Sequence, residues 1–418
     1  MKELKDELRF YRSVFEKELT GNILPFWINK GVRPDHSGFY GAVTIEGDPV
    51  PDALQSCVLN ARILWTFSAA VQIYDQKTYK DLASLALEVI SQKFADREYG
   101  GYFMELDDRF NVVNDIKHSY VQAFVIYSLC RYYEYNPSES MLKQIRDLFY
   151  LFEENCKDPD HPGYYEAFTR DWKLYEHNRM ADHNEPKSMN THLHVLEAYA
   201  ALYKIWKHND IKVRLTELID LFINKILRPS GHLGIFFDVN LNETADSRGI
   251  CSFGHDIEAS WLMYEAAEIL GDELITSRIN ETTLLMVDAV EKAGIDKNGG
   301  LFLESSRYGS HIRTNKHWWL QAETLVGFMN AYQLSGDEKY WDQVKRTWDF
   351  IDNHVIDKKH GEWYTKVNRF GVPFLSEPEG DPSPYYRNDR KIDPWKCPYH
   401  NSRAMLELMQ RIDKLLTL

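Results

Sequence analysis

The sequence predicts an all-α fold, an (α/α)6 barrel with short β-hairpins and loops at one end, formed by a single domain of residues 1–418. Three observations support this fold class: a recurring glycine–aromatic motif, twelve segments with a helical period, and a regular alternation between two kinds of helix. The chain is 44 % hydrophobic and 14 % aromatic, which is enough for a large packed core.

The recurring motif places a glycine one or two residues before aromatic or apolar residues, as in "GGYFMEL" and "HGEWYTK". It occurs six times, at intervals of 61 to 71 residues. The six glycines are Gly38, Gly101, Gly163, Gly234, Gly300 and Gly361. Alternating polar and apolar residues and a turn follow each one, which predicts a β-hairpin. The near-equal spacing of this glycine motif indicates a repeat architecture.

Segments with a period near 3.6 residues lie between these motifs. They cover 3–29, 53–75, 77–94, 115–134, 138–156, 188–207, 210–229, 253–271, 273–294, 315–335, 337–355 and 397–416. In most pairs the first helix is apolar nearly all round and the second is amphipathic, so six inner helices ringed by six outer ones are expected. A linear solenoid is the alternative, but it would need polar caps at both ends.

Charge and composition exclude several classes of function. The net charge of −14 is spread along the chain, which argues against nucleic-acid binding. No apolar stretch is long enough for a membrane helix, and the charged N-terminus predicts no secretory signal. Five scattered cysteines without CxxC spacing favour free thiols and a cytoplasmic location.

Polar and aromatic residues gather at the starts of the predicted inner helices. They are Arg62, Asn190, His194, His255, Glu258, Trp261, Trp319, Glu323, Trp395 and His400. Any one of them has a plain structural explanation, such as a core histidine or an internal salt bridge. Because burying all of them unpaired would be costly, a shared polar cavity explains the group better.

Such a cavity could bind either a metal ion or a sugar. His192 and His194 point about 200° apart on a helix and cannot share one ion. A site formed by His194, His255 and His400 stays possible, although no HExxH motif is present. Tryptophans beside polar groups favour sugar rings, and repeated histidines favour proton transfer near neutral pH.

Four stretches together, "MNTHLHVLEAY", "GHDIEASWL", "WWLQAETLVGF" and "WKCPYHNSRAM", resemble the N-acylglucosamine 2-epimerase superfamily, and within it most closely the cellobiose 2-epimerases. The resemblance implies an (α/α)6 barrel and a cofactor-free isomerase. It implies reversible inversion at C2 of the reducing-end glucose of β-1,4-linked disaccharides such as cellobiose, lactose or mannobiose. The sugar ring opens, and a cis-enediolate forms after the C2 proton is removed.

Roles for the candidate residues follow from the same resemblance. His255 and His400 would be the acid/base pair, and His194 would assist ring opening. Arg62 would stabilise the enediolate oxygens. Two acids would orient histidines or bind hydroxyls: Glu258 and Glu323. Five residues would bind substrate: Trp319, Trp395, Asn190, Tyr120 and Trp261. The expected partner is a small oligosaccharide, with no nucleic acid, membrane or metal, and the protein would be a monomer or a homodimer.

Several alternatives stay open at this stage. A mannose-type aldose–ketose isomerase or an N-acylglucosamine 2-epimerase would use the same histidines. A glycoside hydrolase of the same fold would instead use Glu258 and Glu323 as its two carboxyl groups, and a non-catalytic protein would bind sugar without turnover. The connection 369–394, rich in Pro, Gly and charge, is a lid, a second-sugar site or a surface excursion.

Overall fold

The computed structural model describes residues 2–177, 184–376 and 387–417. Its helices agree with the twelve predicted segments. Helix α1 runs without a break through Lys2–Glu18, Leu19–Ile23, Leu24–Phe26 and Trp27–Gly31. The others are α2 (Cys57–Tyr74), α3 (Lys77–Val89, continued by Ile90–Phe94), α4 (Ser119–Tyr135), α5 (Glu139–Cys156), α6 (Met189–Ile205), α7 (Asn209–Leu221, continued by Phe222–Ile226), α8 (Phe253–Leu270), α9 (Glu273–Gly294), α10 (Trp318–Ser335), α11 (Glu338–Phe350, continued by Ile351–Val355) and α12 (Tyr399–Thr417).

Six of these helices form a closed inner ring. The ring runs α2, α4, α6, α8, α10, α12, and α12 packs back on α2. The predicted (α/α)6 barrel is thereby confirmed and the linear solenoid is excluded. Each remaining helix covers an inner one, and α1 covers α12, which explains why the C-terminal helix lacks the polar face of a solenoid cap. Within the described chain, no helix is long and apolar enough to cross a membrane.

Short strands join neighbouring repeats at the end of the barrel where the inner helices begin. A strand directly precedes five inner helices: Gln55–Ser56, Lys117–His118, Lys187–Ser188, Cys251–Ser252 and Lys316–His317. A sixth strand, Arg390–Ile392, lies shortly before α12. Each pairs antiparallel with a strand of the next ribbon, and Arg390–Ile392 pairs with Val43–Thr44 near the N-terminus. The predicted starts at 53, 115 and 315 were too early because strands and loops occupy those residues.

The glycine motif is the tight turn that begins each ribbon. Gly163 shows why a side chain is excluded there: its φ is +91°, and an added Cβ would lie 2.3 Å from His192 Nε2. That nitrogen accepts the backbone N–H of Tyr164 at 3.0 Å. Gln122 and Gln321 do the same from the equivalent positions of α4 and α10. His192 is therefore a structural residue that fixes a ribbon to an inner helix.

Buried lysine–aspartate pairs reinforce the same end of the barrel. The lysine lies in a strand near an inner helix, and the aspartate begins the glycine turn of a ribbon. The pairs are Lys117–Asp96 at 2.9 Å, Lys187–Asp158 at 2.7 Å, Lys316–Asp296 at 3.0 Å and Lys391–Asp357 at 3.1 Å. These ion pairs were not predicted from the sequence. They hold the ribbons rigidly around the mouth of the barrel.

Candidate active site

Most candidate residues occupy two positions of the inner helices, the second and the sixth. These positions lie one turn apart on one face, and they open at the end of the barrel that carries the strands. Second positions supply Tyr120, Asn190, Trp319 and His400, and sixth positions supply Arg62, His194, Glu258 and Glu323. His255 is the third residue of α8. The ring of helices thus brings residues from six segments of the chain to one place.

His400 is held by a carboxylate. Its Nδ1 lies 2.6 Å from Glu323 Oε1, and the oxygens of Glu323 also accept hydrogen bonds from Arg403 at 2.6 Å and from Trp261 Nε1 at 3.0 Å. A carboxylate that only accepts fixes the proton on Nδ1, so Nε2 has the free lone pair. Burial, together with the positive charges of Arg62 and Arg403, lowers the pKa of His400 well below its usual value.

His255 is held by a hydroxyl. Its Nδ1 lies 2.6 Å from Ser252 Oγ. The equivalent serines of α2 and α6, Ser56 and Ser188, cap their helices by accepting backbone N–H groups, whereas Ser252 directs its oxygen to the imidazole. Burial, and next the neighbouring His194, lower the pKa of His255 to about 3. His255 is therefore neutral in the free protein.

The indole of Trp319 faces both histidines. Its ring centroid lies 4.9 Å from that of His255 and 5.6 Å from that of His400. Trp319 is only partly buried. Because the two imidazoles come from different helices and both contact this one flat surface, they can address a single sugar unit placed against it.

His194 forms a third anchored imidazole. Its Nδ1 lies 2.9 Å from Glu197 Oε2. Burial would raise the pKa of Glu197, but Arg403 and the hydrogen bonds from His194 and Tyr399 hold that pKa at about 2, so the carboxylate is ionised. Burial lowers the pKa of His194. Across the described residues, His194, His255 and His400 all lack a hydrogen bond at Nε2, which is the atom available to a substrate.

Arg62 is a buried cation without a carboxylate counter-ion in the part of the chain that the structure describes. Its Nη2 donates to the hydroxyl of Tyr120 at 2.7 Å, and Nη1 lies 3.8 Å from Cys397 Sγ. Its guanidinium lies over the ring of Phe124 at 4.3 Å. No carboxylate of the described chain forms an ion pair with Arg62, and its Nε has no hydrogen bond there. An uncompensated buried cation is suited to receive an anion.

Arg403 was missed by the sequence analysis and lies at the centre of the charged cluster. Its Nη2 donates to Glu258 Oε1 at 2.8 Å and to Glu323 Oε1 at 2.6 Å. Its Nη1 donates to Glu197 and to the Tyr399 hydroxyl. A signal was present, because Glu197 follows His194 by three residues and Arg403 follows His400 by three.

The cluster bears on the hydrolase alternative, and it contains a possible set of metal ligands other than the predicted His194, His255 and His400. Glu258, Glu323 and His400 offer ligand atoms within 4.8 Å of one another, a donor set that could hold an ion. Here the guanidinium of Arg403 already supplies the cation between the two carboxylates. Both glutamates are buried and accept from the same nitrogen, so they do not flank a space for a glycosidic bond. Burial and the nearby negative Glu323 raise the pKa of Glu258 to about 8.

The predicted substrate-binding residues divide into two groups. Trp319, Trp395 and Asn190 are partly buried, and Trp395 lies 5.8 Å from the ring of Tyr120. Asn190 Oδ1 has no hydrogen-bond partner in the part of the chain that the structure describes. These residues can contact a ligand. Tyr120 is buried and holds Arg62 through its hydroxyl.

The prediction for Trp261 was wrong. This indole is 1 % exposed, donates to Glu323 Oε2, and packs against the guanidinium of Arg403 at 4.7 Å. It therefore supports the charged cluster from behind and offers no face to a sugar. The centre of the connection 369–394, residues 377–386, lies outside the described residues, so its role as a lid or second-sugar site stays a prediction.

A closed helical barrel whose mouth carries anchored histidines, flat indoles and an arginine without a carboxylate partner among the described residues has the groups that an acid/base enzyme of the (α/α)6 class requires. The sequence profile of the family N-acylglucosamine 2-epimerase (GlcNAc 2-epimerase) matches residues 38–387. The chain belongs to this family.

Relatives of known activity cover the chain almost completely. A cellobiose 2-epimerase from Bacteroides fragilis is 37 % identical over 94 % of this chain and 97 % of its own. One from Ruminococcus albus is 34 % identical over 96 % of this chain and 98 % of its own. The solved structure of cellobiose 2-epimerase from Bacillus thermoamylovorans is 33 % identical, covers 96 % of this chain and 100 % of its own, and superposes with a TM-score of 0.88.

Proposed function

We propose that this protein catalyses reversible epimerisation at C2 of the reducing-end glucose of β-1,4-linked disaccharides such as cellobiose, lactose or mannobiose. One observation supports this above the others. His255 and His400 come from different helices, both contact the indole of Trp319, and both have Nδ1 engaged and Nε2 free. Inversion at a carbon that passes through a planar intermediate requires a proton acceptor on one face and a proton donor on the other.

The reaction begins with opening of the reducing-end ring, in which the proton of the C1 hydroxyl is transferred and O5 gains one. His194, with its free Nε2 and its carboxylate partner Glu197, assists this transfer. One of the two histidines then removes the C2 proton from the open-chain aldehyde. The C–H electron pair moves into the C1–C2 bond, and negative charge develops on O1.

Arg62 stabilises that charge. It is buried and has no carboxylate partner among the described residues, and preorganised donors aimed at a developing oxyanion are typically worth about 3 kcal/mol each. The second histidine returns a proton to C2 from the opposite face, and ring closure gives the mannose unit. Since burial keeps both imidazoles neutral in the free protein, the second histidine takes up a proton from solvent at Nε2 before it gives that proton to C2. The first histidine releases the proton taken from C2 to solvent, so the number of protons on the enzyme is unchanged after each turnover.

The proposal extends to the whole chain and its surroundings. Residues 1–418 act as one catalytic domain, with a small oligosaccharide as the partner. The enzyme works in the cytoplasm as a monomer or a homodimer. No cofactor is required, because histidines supply the proton transfers and Arg62 supplies the electrostatic stabilisation.

Proton NMR of the purified protein with cellobiose in deuterium oxide tests the proposal. Glucosyl-mannose that carries deuterium at C2 is the expected product. A ketose product would establish an aldose–ketose isomerase, and free glucose would establish a hydrolase. Turnover of mannose or N-acetylglucosamine, with cellobiose unchanged, would contradict the disaccharide specificity. Binding of cellobiose without any exchange would contradict catalysis.

A further inference from the structure

We infer that Arg403 is a positioning residue that couples His194 and His400, because one guanidinium holds the carboxylates that orient both imidazoles. The inference rests on the proposed function, since it assigns these histidines to proton transfer. Arg403 contacts no imidazole through a hydrogen bond of its own, so it acts through Glu197 and Glu323, which do.

Each terminal nitrogen of the Arg403 guanidinium binds the carboxylate that holds one of the two histidines. Nη1 donates to Glu197, whose other oxygen lies against His194 Nδ1. Nη2 donates to Glu323 Oε1, the same oxygen that lies 2.6 Å from His400 Nδ1. A planar fork fixes the relative direction of its N–H groups, so the two carboxylates, and through them the two imidazole rings, keep a fixed relation across the barrel.

The charges around Arg403 explain why a single cation matters here. Glu197 faces it from α6, Glu258 from α8 and Glu323 from α10, while Tyr399 faces it from its own helix α12. Trp261 packs on its flat face. Three carboxyl groups share one guanidinium, so a proton gained at one imidazole changes the electrostatic interaction energy of all three.

Arg403 also affects the histidines directly. Its positive charge lowers the pKa of His194 and that of His400, after the larger effect of burial. Arg62 acts on both in the same direction, and Glu197 opposes it at each. Loss of the Arg403 charge should therefore raise the pKa of both imidazoles.

Arg411 gives a matched control on the same helix. It is buried as well, and it donates to Glu407 at 3.1 Å, Asn330 at 2.7 Å and Gln333 at 2.9 Å. None of these partners contacts His194 or His400 through a hydrogen bond. Arg411→Gln thus removes a buried guanidinium and its hydrogen bonds without changing the carboxylates of the histidines.

The experiment compares pH profiles of kcat and kcat/KM for the wild type, Arg403→Gln, Arg403→Lys and Arg411→Gln, with the folded fraction measured by circular dichroism. We expect Arg403→Gln to lower kcat about 10- to 100-fold, the range for loss of a charge-assisted hydrogen bond, with little change in KM. We expect the acid limb of kcat/KM to move up by about one pH unit. Arg403→Lys should return the acid limb to its wild-type pH, because the positive charge is present again. It should not restore kcat, because lysine lacks the planar guanidinium that binds two carboxylates at once.

Arg411→Gln should lower the melting temperature and leave both kcat and the limb unchanged. An Arg403→Gln enzyme with an unshifted limb and the same kcat as Arg411→Gln would overturn the inference. If Arg403→Gln fails to fold, the Arg403→Lys enzyme decides the question. A wild-type kcat in that variant would overturn the inference, and a reduced kcat with an unshifted acid limb would support it. Because the wild type is assayed alongside, a wild type without epimerase activity signals failure of the proposed function instead.

Discussion

Arg403 and Arg411 lie about two turns apart on helix α12, and both are buried, yet they belong to different kinds of network. The partners of Arg403 at the mouth of the barrel include the two carboxylates that hold histidines, Glu197 and Glu323. The partners of Arg411 toward the opposite end are two amides and one local glutamate. Buried charge alone therefore does not mark the active site. What marks the candidate site is charge connected to imidazoles through the carboxylates that bind their Nδ1 atoms.

The opposite end of the barrel shows a similar contrast in its ion pairs. Glu134 is held by Arg131 at 2.8 Å and by Lys204 at 2.6 Å. These groups join neighbouring inner helices where they end, and none of them contacts an imidazole. The two ends thus use the same residue types, one to position proton carriers and the other to hold helices together.

The histidines give the largest expected difference between functional and structural residues. We expect His255→Gln and His400→Gln each to reduce kcat about 10²- to 10⁴-fold, the range for loss of a general acid or base. Steady-state epimerisation of cellobiose measures this. His192→Gln is the control and should retain activity. Glutamine accepts the equivalent backbone N–H at Gln122 and Gln321, so it can replace His192 in that contact. A loss in His192→Gln as large as in His400→Gln would contradict the assignment.

Glu323 provides the next largest effect. Glu323→Gln keeps a side chain of the same shape but removes the charge behind His400, so we expect kcat to fall about 10- to 100-fold. The matched variant is Glu407→Gln, which removes a carboxylate paired with Arg411 on the same α12 helix. Equal kcat values for the two variants, measured per folded molecule, would show that Glu323 does not act on His400.

The pH dependence of the wild type should reflect buried, neutral histidines. Burial lowers the pKa of His255 to about 3 and lowers the pKa of His194 and His400. A base must be neutral to accept the C2 proton, so a lowered pKa moves the acid limb of kcat/KM below the usual histidine value of 6.5. A pH–rate profile measures this. An acid limb above that value would show that the histidines are more solvated than the structure indicates.

The lysine–aspartate pairs around the mouth should affect stability with the smallest effect on kcat. Lys187→Met leaves Asp158 buried without its cation, which should cost about 3–5 kcal/mol in free energy of unfolding. The exposed pair Lys77–Asp81 is the control, since Lys77→Met should cost at most about 1 kcal/mol. Urea unfolding measures both. Equal costs would mean that the buried pair contributes no more than a surface pair.

The fold was predictable because its pattern is local. Helical period, apolar inner helices and six glycine turns are all properties of short segments, and the structure confirms the twelve helices that they predict. Several candidates for the site could be selected for the same reason, since Asn190 with His194 and Trp319 with Glu323 lie one turn apart on one helix face.

The partners of these residues could not be predicted in the same way. Arg403 contacts acids from three other helices, and that contact depends on how the ring closes. Ser252 occupies a position where Ser56 and Ser188 cap helices, so its bond to His255 is not visible in the sequence pattern. Trp261 looked like a sugar platform by its spacing, but the closed ring turns it toward Glu323.

The most direct test of a two-histidine inversion is solvent exchange in the single variants. His255→Gln and His400→Gln are each incubated in deuterium oxide with cellobiose and, separately, with its C2 epimer, and C2–H loss is followed by proton NMR. If the histidines act on opposite faces, each variant exchanges the C2 proton of one epimer only, and the two variants choose different epimers. If both variants exchange the same epimer, or neither exchanges any, the histidines do not divide the two faces and the account is wrong.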